Sequence, residues 1–297
     1  MRTTRVLPLA AAVAALSLAL AGCGGNGDDG GTTDGGTATT PAGDAQTDAT
    51  GEADGETLTI SVGATPVPHA QILTWISDNI AADAGLEIEI VEFTDYPFGN
   101  RALSEGEFDA NYFQHLPYFD EQVAEFGYDI QASVGIHIEP YGVYSETITD
   151  IADLPEGGTI SVPNDPSNQA RALWLLEDAG VFTLNDSVDN PTIYDVDDNP
   201  KGIQLTELDA AQLATTLQDV DASVINGNYA LDAGLVPSED AIVLESGEDN
   251  PYANVVAYRS EDVDSEAIAA LIELLTSEDV RAYIEQTWPN GEVIPAF

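Results

Sequence analysis

Residues 159–173 have the sequence TISVPNDPSNQARAL, which combines a strand, a turn and the start of a helix. The apolar run from Thr159 to Val162 predicts the strand. Asn164 or Asp165 can cap the helix that follows, and Pro166 suits its first turn because no backbone donor is lost there. This stretch therefore predicts a strand that leads through a short turn into a helix.

Arg171 lies roughly a turn and a half into this helix. The chain has only seven Lys and Arg residues against 53 Asp and Glu residues, so each cation needs a specific reason. A helix N-terminus beside an arginine favours an anion through free N–H groups and through a guanidinium that matches a carboxylate. Alternatively, Arg171 forms an ion pair with one of the many acids. The residue alone leaves both interpretations open.

The N-terminal region reads as an export signal followed by a tether. Residues 1–22 carry Arg2 and Arg5, then an apolar run that is too short to span a membrane. They end at the lipobox pattern before Cys23, the only cysteine, which we expect to be lipidated and which excludes an internal disulfide. Residues 23–56 are rich in Gly, Asp and Thr and lack aromatic residues, so we expect a flexible acidic tether.

The charge of the chain limits its partners. The formal net charge is −46, and the acids are scattered over the whole mature sequence. A charge of this sign excludes nucleic acid as a partner. It also suggests a solvated acidic surface suited to high salt, where self-repulsion is screened.

From residue 57 onward, strand and helix patterns alternate. This alternation predicts an α/β fold with mainly parallel, doubly wound sheets flanked by helices. The length of this region suits two compact lobes. The final helical patterns follow a strand without a local partner, so we expect these helices to pack against the lobe that is formed by the first half of the region. The predicted division is residues 57–144 plus 251–297 for lobe 1 and 145–250 for lobe 2, with two crossovers between the lobes. Ligands of such folds lie beyond the carboxyl ends of the strands.

Catalytic and metal functions find little support in the sequence. There is no thiol besides Cys23, no nucleophile-elbow motif and no P-loop, and acids are too numerous for any pair to be informative. The histidines His69, His115 and His137 are far apart in sequence and lack metal-ligand spacing. We therefore predict no enzyme activity, no metal and no cofactor. A lipoprotein that captures a metal ion through these histidines is kept as an alternative function.

Seven strings in the sequence together carry a family resemblance: VGATP (62–66), FTDY (93–96), DANYFQH (109–115), VPNDPSN (162–168), ASVINGNYA (222–230), NPYAN (250–254) and VIPAF (293–297). In this order they resemble the NlpA-type lipoproteins, the methionine-binding components of ABC importers. The resemblance covers roughly residues 58–297, with a lipobox where the family has one.

The resemblance implies a two-lobed periplasmic-binding-protein fold, type II-like, that closes on methionine. It implies that Arg171 holds the ligand carboxylate and that Asn226 helps to fix the amino-acid backbone. Further implied ligand-binding residues are Tyr96, Tyr112, Phe113, His115, Tyr118 and Asn228. His69 and His137 are expected to be structural or rim residues.

The implied function is a monomeric receptor that is lipid-anchored at Cys23 on the outer side of the cell membrane. It would deliver methionine, with L-methionine favoured, to a membrane complex of permease and ATPase. The alternative is a receptor of the same kind for another amino-acid derivative or a methionine-containing dipeptide.

Overall fold

The computed structural model describes residues 57–297. The predicted signal peptide, the lipidated Cys23 and the tether lie outside the described residues. Among the helices that are described, none is long and apolar enough to cross a membrane.

The described chain alternates strands with helices, as the sequence predicts. The strands are β1 Leu58–Ala64, β2 Leu86–Glu92, β3 Ala110–His115, β4 Ile130–Ala132, β5 His137–Ile138, β6 Gly142–Tyr144, β7 Thr159–Pro163, β8 Thr183–Leu184, β9 Val196–Asp198, β10 Gln204–Leu208, β11 Ala222–Ile225, β12 Val243–Leu244, β13 Ala253–Arg259 and β14 Ile294–Pro295. The α-helices are α1 Gln71–Asn79, α2 Tyr96–Glu105, α3 Leu116–Phe126, α4 Pro166–Asp178, α5 Ala210–Leu213, α6 Gly227–Asp232, α7 Pro237–Asp240, α8 Glu266–Leu275 and α9 Glu278–Thr287. Short 3₁₀ turns occupy Ala82–Ala84, Ile151–Asp153, Leu217–Asp219 and Ser260–Asp262, and a π-type turn occupies Pro66–Ala70.

The strands form two main sheets, one in each lobe. The seven-stranded sheet of lobe 1 has the order β14-β5-β13-β3-β1-β2, with β4 also paired to β13. The five-stranded sheet of lobe 2 has the order β10-β7-β11-β6-β12, and β8 and β9 form a separate ribbon. The two-lobed α/β fold is thus confirmed.

Both sheets are mixed, which corrects the expectation of mainly parallel sheets. In lobe 1, β1 is parallel to β2 and β3, but β13 is antiparallel to β3, β4 and β5. In lobe 2, β7 is parallel to β10 and β11, but β6 is antiparallel to β11 and β12. The antiparallel strands β6 and β13 are those that follow the two crossovers. A strand that enters a sheet directly from the other lobe has no helical crossover to make it parallel.

Helices pack on both faces of the lobe 1 sheet. Successive side chains of its strands point to opposite faces, so both faces carry apolar residues that need to be covered. Tyr112 joins a core with Ile72 of α1, Leu271 of α8 and Ile284 of α9. The adjacent Phe113 joins a second core on the α2 and α3 side. Neighbouring residues of a strand point to opposite faces, so β3 supplies both cores. The C-terminal helices return to lobe 1, as expected.

The stretch at residues 159–173 folds as its sequence predicts. The strand β7 ends at Pro163, and α4 begins at Pro166 with Asp165 as its N-cap. The Asp165 side chain accepts a hydrogen bond from the Asn168 N–H at 2.9 Å, which satisfies one of the free donors of the first turn. This geometry fixes where Asn168 and Arg171 lie.

Two element boundaries affect the site. The helix α2 begins at Tyr96, so Tyr96 lies in its first turn. The strand Gly142–Tyr144 belongs to the sheet of lobe 2, although the predicted boundary put it in lobe 1. The first crossover therefore runs between Ile138 and Gly142, and the second runs between Leu244 and Ala253.

Candidate functional site

A cleft between the two lobes contains most of the polar and aromatic residues that the sequence singled out. The space between its walls, open solvent included, is about 320 Å³, so the lobes lie close together around it. The lining residues are Tyr96, Phe113, Gln114, His115, Tyr118, Glu139, Tyr141, Asn168, Arg171, Asn226, Gly227, Asn228 and Asn254. They come from the carboxyl ends of strands, the first two turns of helices, the first crossover and, for Asn254, the start of β13.

Arg171 forms one end of the cleft and is held rigidly. Its Nε and Nη2 donate to the two carboxylate oxygens of Glu245 at 3.0 and 2.5 Å, and Nη2 also donates to the Glu139 carbonyl at 2.9 Å. The guanidinium lies between two rings, 4.3 Å from the centroid of Tyr141 and 4.1 Å from that of Tyr252. Among residues 57–297, Nη1 has no hydrogen-bond acceptor.

Glu245 is fixed as firmly as the arginine that it binds. Its carboxylate also accepts from the Tyr141 N–H at 3.1 Å and from Asn250 Nδ2 at 2.9 Å. Burial alone would raise the pKa of Glu245, but Arg171 and these donors hold it below its usual value. Arg171 therefore forms the ion pair that the sequence analysis gave as the alternative, and Glu245 is its partner.

Asn168 connects both lobes and the first crossover. Its Oδ1 accepts from His115 Nε2, from the Tyr141 hydroxyl and from Asn226 Nδ2, each at 3.0 Å. His115 Nδ1 accepts from the Tyr118 N–H at 3.1 Å, so the proton of His115 is on Nε2. Burial lowers the pKa of His115 to about 3, and the charge of Arg171 acts in the same direction. His115 is therefore a neutral donor at physiological pH.

Asn226 presents an unsatisfied acceptor to the cleft. Its Nδ2 is engaged with Asn168, but its Oδ1 is buried and has no hydrogen-bond partner among the described residues. A buried amide oxygen without a donor costs free energy, so it indicates a place for a donor from a ligand. The next residue, Gly227, approaches the crossover closely, since a Cβ there would lie 2.6 Å from Glu139 Cβ.

Aromatic rings form the other end of the cleft. The ring of Tyr96 lies 5.7 Å from those of Phe113 and Tyr118, measured between centroids, and 4.9 Å from that of Tyr229. The Tyr96 hydroxyl donates to Asn228 Oδ1 at 2.5 Å, and the Tyr229 hydroxyl donates to the Thr94 carbonyl at 2.7 Å. These two bonds join the lobes across the cleft. An apolar wall thus faces the charged end.

Behind the cleft, two fully buried histidines meet the Glu139 carboxylate. Glu139 Oε1 lies 2.7 Å from His137 Nε2 and 3.3 Å from His69 Nε2. His69 Nε2 also lies 3.1 Å from Asn254 Oδ1. Because these partners are acceptors, both Nε2 atoms carry the proton. The Nδ1 atoms then accept from the hydroxyls of Thr65 and Tyr112.

The electrostatics of this cluster follow from its burial. Burial lowers the pKa of His69 to about 4 and that of His137 to about 3, so both rings are neutral. Burial raises the pKa of Glu139, whereas His69, Arg171 and a backbone hydrogen bond from Asn228 act in the opposite direction. Neither histidine lines the cleft itself, so both occupy the structural positions expected of them.

Seven of the eight residues predicted to bind ligand line the cleft: Tyr96, Phe113, His115, Tyr118, Arg171, Asn226 and Asn228. Tyr112 does not. It points to the opposite face of β3 from Phe113, and its hydroxyl is used by His137. The strand alternation of side chains would have separated these two residues in advance.

Sequence reasoning missed several lining residues. Asn168 and Asn254 lie within the quoted family strings, but nothing local shows that their side chains face the cleft. Glu139 and Tyr141 lie on the crossover, and Gln114 follows Phe113. The carboxylate of Glu139 had no sequence signal because acids occur throughout the chain.

Known proteins share this architecture. A model of the NlpA lipoprotein family matches residues 60–297. The methionine-binding lipoprotein MetQ of Bacillus subtilis is 38% identical over 241 residues, which cover 80% of this chain and 87% of the relative. A nutrient-binding protein of Burkholderia cenocepacia, solved bound to methionine, is 42% identical with a TM-score of 0.77 and covers 80% of this chain and 100% of its own. An ABC-transporter periplasmic substrate-binding protein from Coxiella burnetii is 42% identical with a TM-score of 0.75 and the same coverages.

The similarity extends over both lobes and therefore over every element that lines the cleft. The match begins within β1 and ends at the last residue, and it includes all the strings on which the resemblance was recognised. The chain belongs to the NlpA lipoprotein family.

Proposed function

We propose that this protein is the substrate-binding lipoprotein of an ABC importer, and that it captures methionine, with L-methionine favoured. It acts as a receptor and catalyses no reaction. The single observation that carries the proposal is the unpartnered Oδ1 of Asn226, which lies in the same cleft as Arg171 Nη1 and the aromatic wall. The relatives named above are a methionine-binding lipoprotein, a protein solved with methionine and an ABC-transporter component.

The polar end of the cleft suits an amino acid. A zwitterion needs a cationic donor for its carboxylate and an acceptor for its ammonium group. Arg171 Nη1 can donate to the carboxylate while Glu245 holds the other edge of the guanidinium. Asn226 Oδ1 can accept from the ammonium group. Contacts within the protein hold both side chains, which reduces the ordering cost of binding.

The apolar end suits an unbranched thioether. Tyr96, Phe113 and Tyr118 present ring edges and faces to the cleft. Sulfur–aromatic contacts contribute roughly 0.3–1.5 kcal/mol each, and the flexible methionine side chain adapts to irregular gaps.

Native mass spectrometry of the mature lipoprotein, extracted from membranes in mild detergent, tests the assignment. We expect a bound mass equal to that of methionine, which exchanges when excess isotopically labelled methionine is added. A bound amino-acid derivative or dipeptide that labelled methionine does not displace would contradict methionine as the ligand while retaining the receptor class.

A metal-capture lipoprotein is the second candidate, and one observation favours it. Donor atoms of His69, His137 and Glu139 all lie within 4.8 Å of one another, although their sequence spacing gave no such indication. Every one of their ring nitrogens already has a hydrogen-bond partner in the described structure. A divalent metal ion in place of methionine in the mass spectrum would favour this candidate.

We also propose that a lipid on Cys23 anchors the receptor on the outer face of the cell membrane, where it serves a permease and ATPase complex as a monomer. The lipobox and the acidic tether of the sequence support this placement. In Cys23→Ser, the protein should fold and bind ligand but leave the membrane fraction. Retention on membranes after a high-salt wash would show that another feature anchors it.

A further inference from the structure

The positive charge of Arg171 is already matched within the protein. Glu245 takes two of its donors in a bidentate pair, and the side chain of Arg171 is only 4% exposed. The tyrosine rings on both sides exclude water from the guanidinium. A ligand carboxylate that approaches Nη1 therefore meets an ion pair, not an isolated cation.

Glu139 is a buried carboxylate that lines the cleft, and it lacks a cationic partner. Arg171 contacts its backbone carbonyl, not its carboxylate. Among residues 57–297, the only basic side chains within ion-pair distance of the carboxylate are His69 and His137. Both rings are neutral because of their burial, so they donate hydrogen bonds without cancelling the charge.

The cleft is thus lined by one cation, Arg171, and one carboxylate, Glu139, and the cation is already paired with Glu245 behind it. A simple carboxylate ligand would add a third acidic group beside a single cation, and buried unpaired charge is strongly unfavourable. A zwitterion brings its own cation. Its carboxylate can face Arg171 while its ammonium group lies toward Asn226 Oδ1 and Glu139.

We infer that Glu139 is the counter-ion of the ligand ammonium group and makes the cleft selective for zwitterions over simple carboxylates. This inference rests on the proposed function and adds the residue that requires a free amino group. The order of charges along the cleft is then Glu245, Arg171, ligand carboxylate, ligand ammonium and Glu139, which alternates in sign throughout.

The surroundings of Glu139 support this role. The His137 and His69 N–H groups fix the carboxylate, and the hydroxyls of Tyr112 and Thr65 fix the ring tautomers. Gly227 admits the start of α6 close to Glu139, where any larger residue would collide with its Cβ. A Cβ on Gly227 would also lie 3.2 Å from Glu139 Oε2, so the carboxylate lies next to the residue that follows Asn226.

Calorimetric titration of Glu139→Gln with two ligands tests the inference. The ligands are L-methionine and 4-(methylsulfanyl)butanoate, which is methionine without its amino group. Glutamine keeps an acceptor for the histidine N–H groups but removes the charge. Loss of one charge-assisted interaction predicts about tenfold weaker methionine binding or more. Affinity for the amine-free ligand should stay unchanged or increase.

A matched control is Glu292→Gln, which neutralises a buried carboxylate that binds Ser238 and Asn290 outside the cleft. We expect both affinities to stay at wild-type values in this control. Equal weakening for both ligands in Glu139→Gln would overturn the inference, because the residue would then act on the fold alone.

The wild-type protein gives a second test that does not depend on the folding of any variant. It should bind methionine at least about tenfold more tightly than the amine-free ligand. Equal affinity for the two would overturn the inference while leaving the receptor function intact. Failure of the wild-type protein to bind either compound would overturn the proposed function itself.

Discussion

The charged end and the aromatic end of the cleft are built by different forces. Arg171 is held by three hydrogen bonds and two ring faces, each with a defined direction. Phe113 meets Phe93 at 5.1 Å, Tyr96 at 5.7 Å and Tyr118 at 6.1 Å between ring centroids, through tilted or edge contacts without hydrogen bonds. Directional contacts tolerate little change, whereas packing tolerates substitutions of similar volume.

This difference assigns separate tasks to the two ends. In the receptor that we propose, the charged end decides which class of compound enters, because an unmatched buried charge or donor is costly. The aromatic end would then rank side chains within that class, since sulfur–aromatic contacts are individually modest. Substitutions at the two ends should therefore have distinct consequences, large at one and graded at the other.

The largest effect is expected for Arg171→Ala. Removing one partner of a buried pair leaves Glu245 without its cation, which costs about 3–5 kcal/mol of unfolding free energy. Methionine binding should weaken at least about tenfold, because a charge-assisted hydrogen bond to the ligand is lost. Chemical denaturation and calorimetry measure the two effects.

The double variant Arg171→Met/Glu245→Gln separates them. It removes both charges, so it should recover part of the lost stability without recovering binding. Unchanged affinity in a folded Arg171→Ala protein would mean that the arginine serves the fold alone, as the ion-pair interpretation of the sequence proposed.

The sequence indicated Arg171 but not its partner Glu245, because the two residues are far apart along the chain. The scarcity of cations drew attention to the arginine, whereas Glu245 is one of 53 acids and lies 74 residues further along the chain. Local pattern carries no information about such a pairing. The family strings located Asn226 and Phe113 because both residues lie within them, but the strings did not give side-chain directions.

The fold was more predictable than the site, with one region as the exception. The strand β7 and the helix α4 lie where the sequence predicts them within a residue or two. Residues 130–144 were all assigned to lobe 1, but they form three short strands, of which the last belongs to the sheet of lobe 2. This segment changes from one sheet to the other, so its pairing depends on tertiary contacts and not on alternation.

A graded effect is expected at the aromatic end for Phe113→Leu. Leucine retains much of the buried volume but loses the ring, so methionine binding should weaken by roughly two- to tenfold, equivalent to about 0.5–1.5 kcal/mol. Alanine as a ligand does not reach the aromatic wall, and its affinity should change less. The preference for methionine over alanine should therefore narrow.

Phe108→Leu is the matched control, because Phe108 is equally buried in the same core but does not line the cleft. It should lower stability without changing the preference between the two ligands, measured by competition calorimetry. An unaltered preference in Phe113→Leu would assign the ring to the core of lobe 1 and not to ligand selection.

A smaller effect concerns the neutral state of His115. Because burial lowers its pKa to about 3, the unfolded chain takes up a proton below about pH 6.5 that the folded protein refuses. Stability therefore falls with falling pH in the window from about 6.5 to 3. In His115→Gln, the unfolding free energy should fall less steeply than in wild type, by at most about 1.4 kcal/mol per pH unit.

The contribution of His115 is obtained by comparing how steeply the unfolding free energies of wild type and His115→Gln change with pH. The absolute unfolding free energies do not isolate it. Glu121 and Asp165 have pKa values raised by burial to about 7 and about 6, so they gain protons in the folded state over the same window and oppose the histidines. Both contributions are common to wild type and variant. Parallel curves from urea denaturation at several pH values would show that His115 titrates normally in the folded protein.

Salt concentration is expected to have the smallest effect on the binding site, although it should change the stability of the whole protein. The excess of acids lies largely on exposed surface, as on β2, where Glu87, Glu89 and Glu92 are all exposed. Repulsion among such charges is screened when the Debye length shortens from about 10 Å at 0.1 M to about 3 Å at 1 M. The melting temperature should therefore rise over this range.

The pair of Arg171 and Glu245 is largely buried and is screened far less, so the stability penalty of Arg171→Ala should stay nearly constant as salt increases. Melting curves of both proteins across the series measure the two quantities together. A flat or falling wild-type curve would contradict adaptation to high salt, and a penalty that disappears with salt would show that solvent reaches the charged end of the cleft.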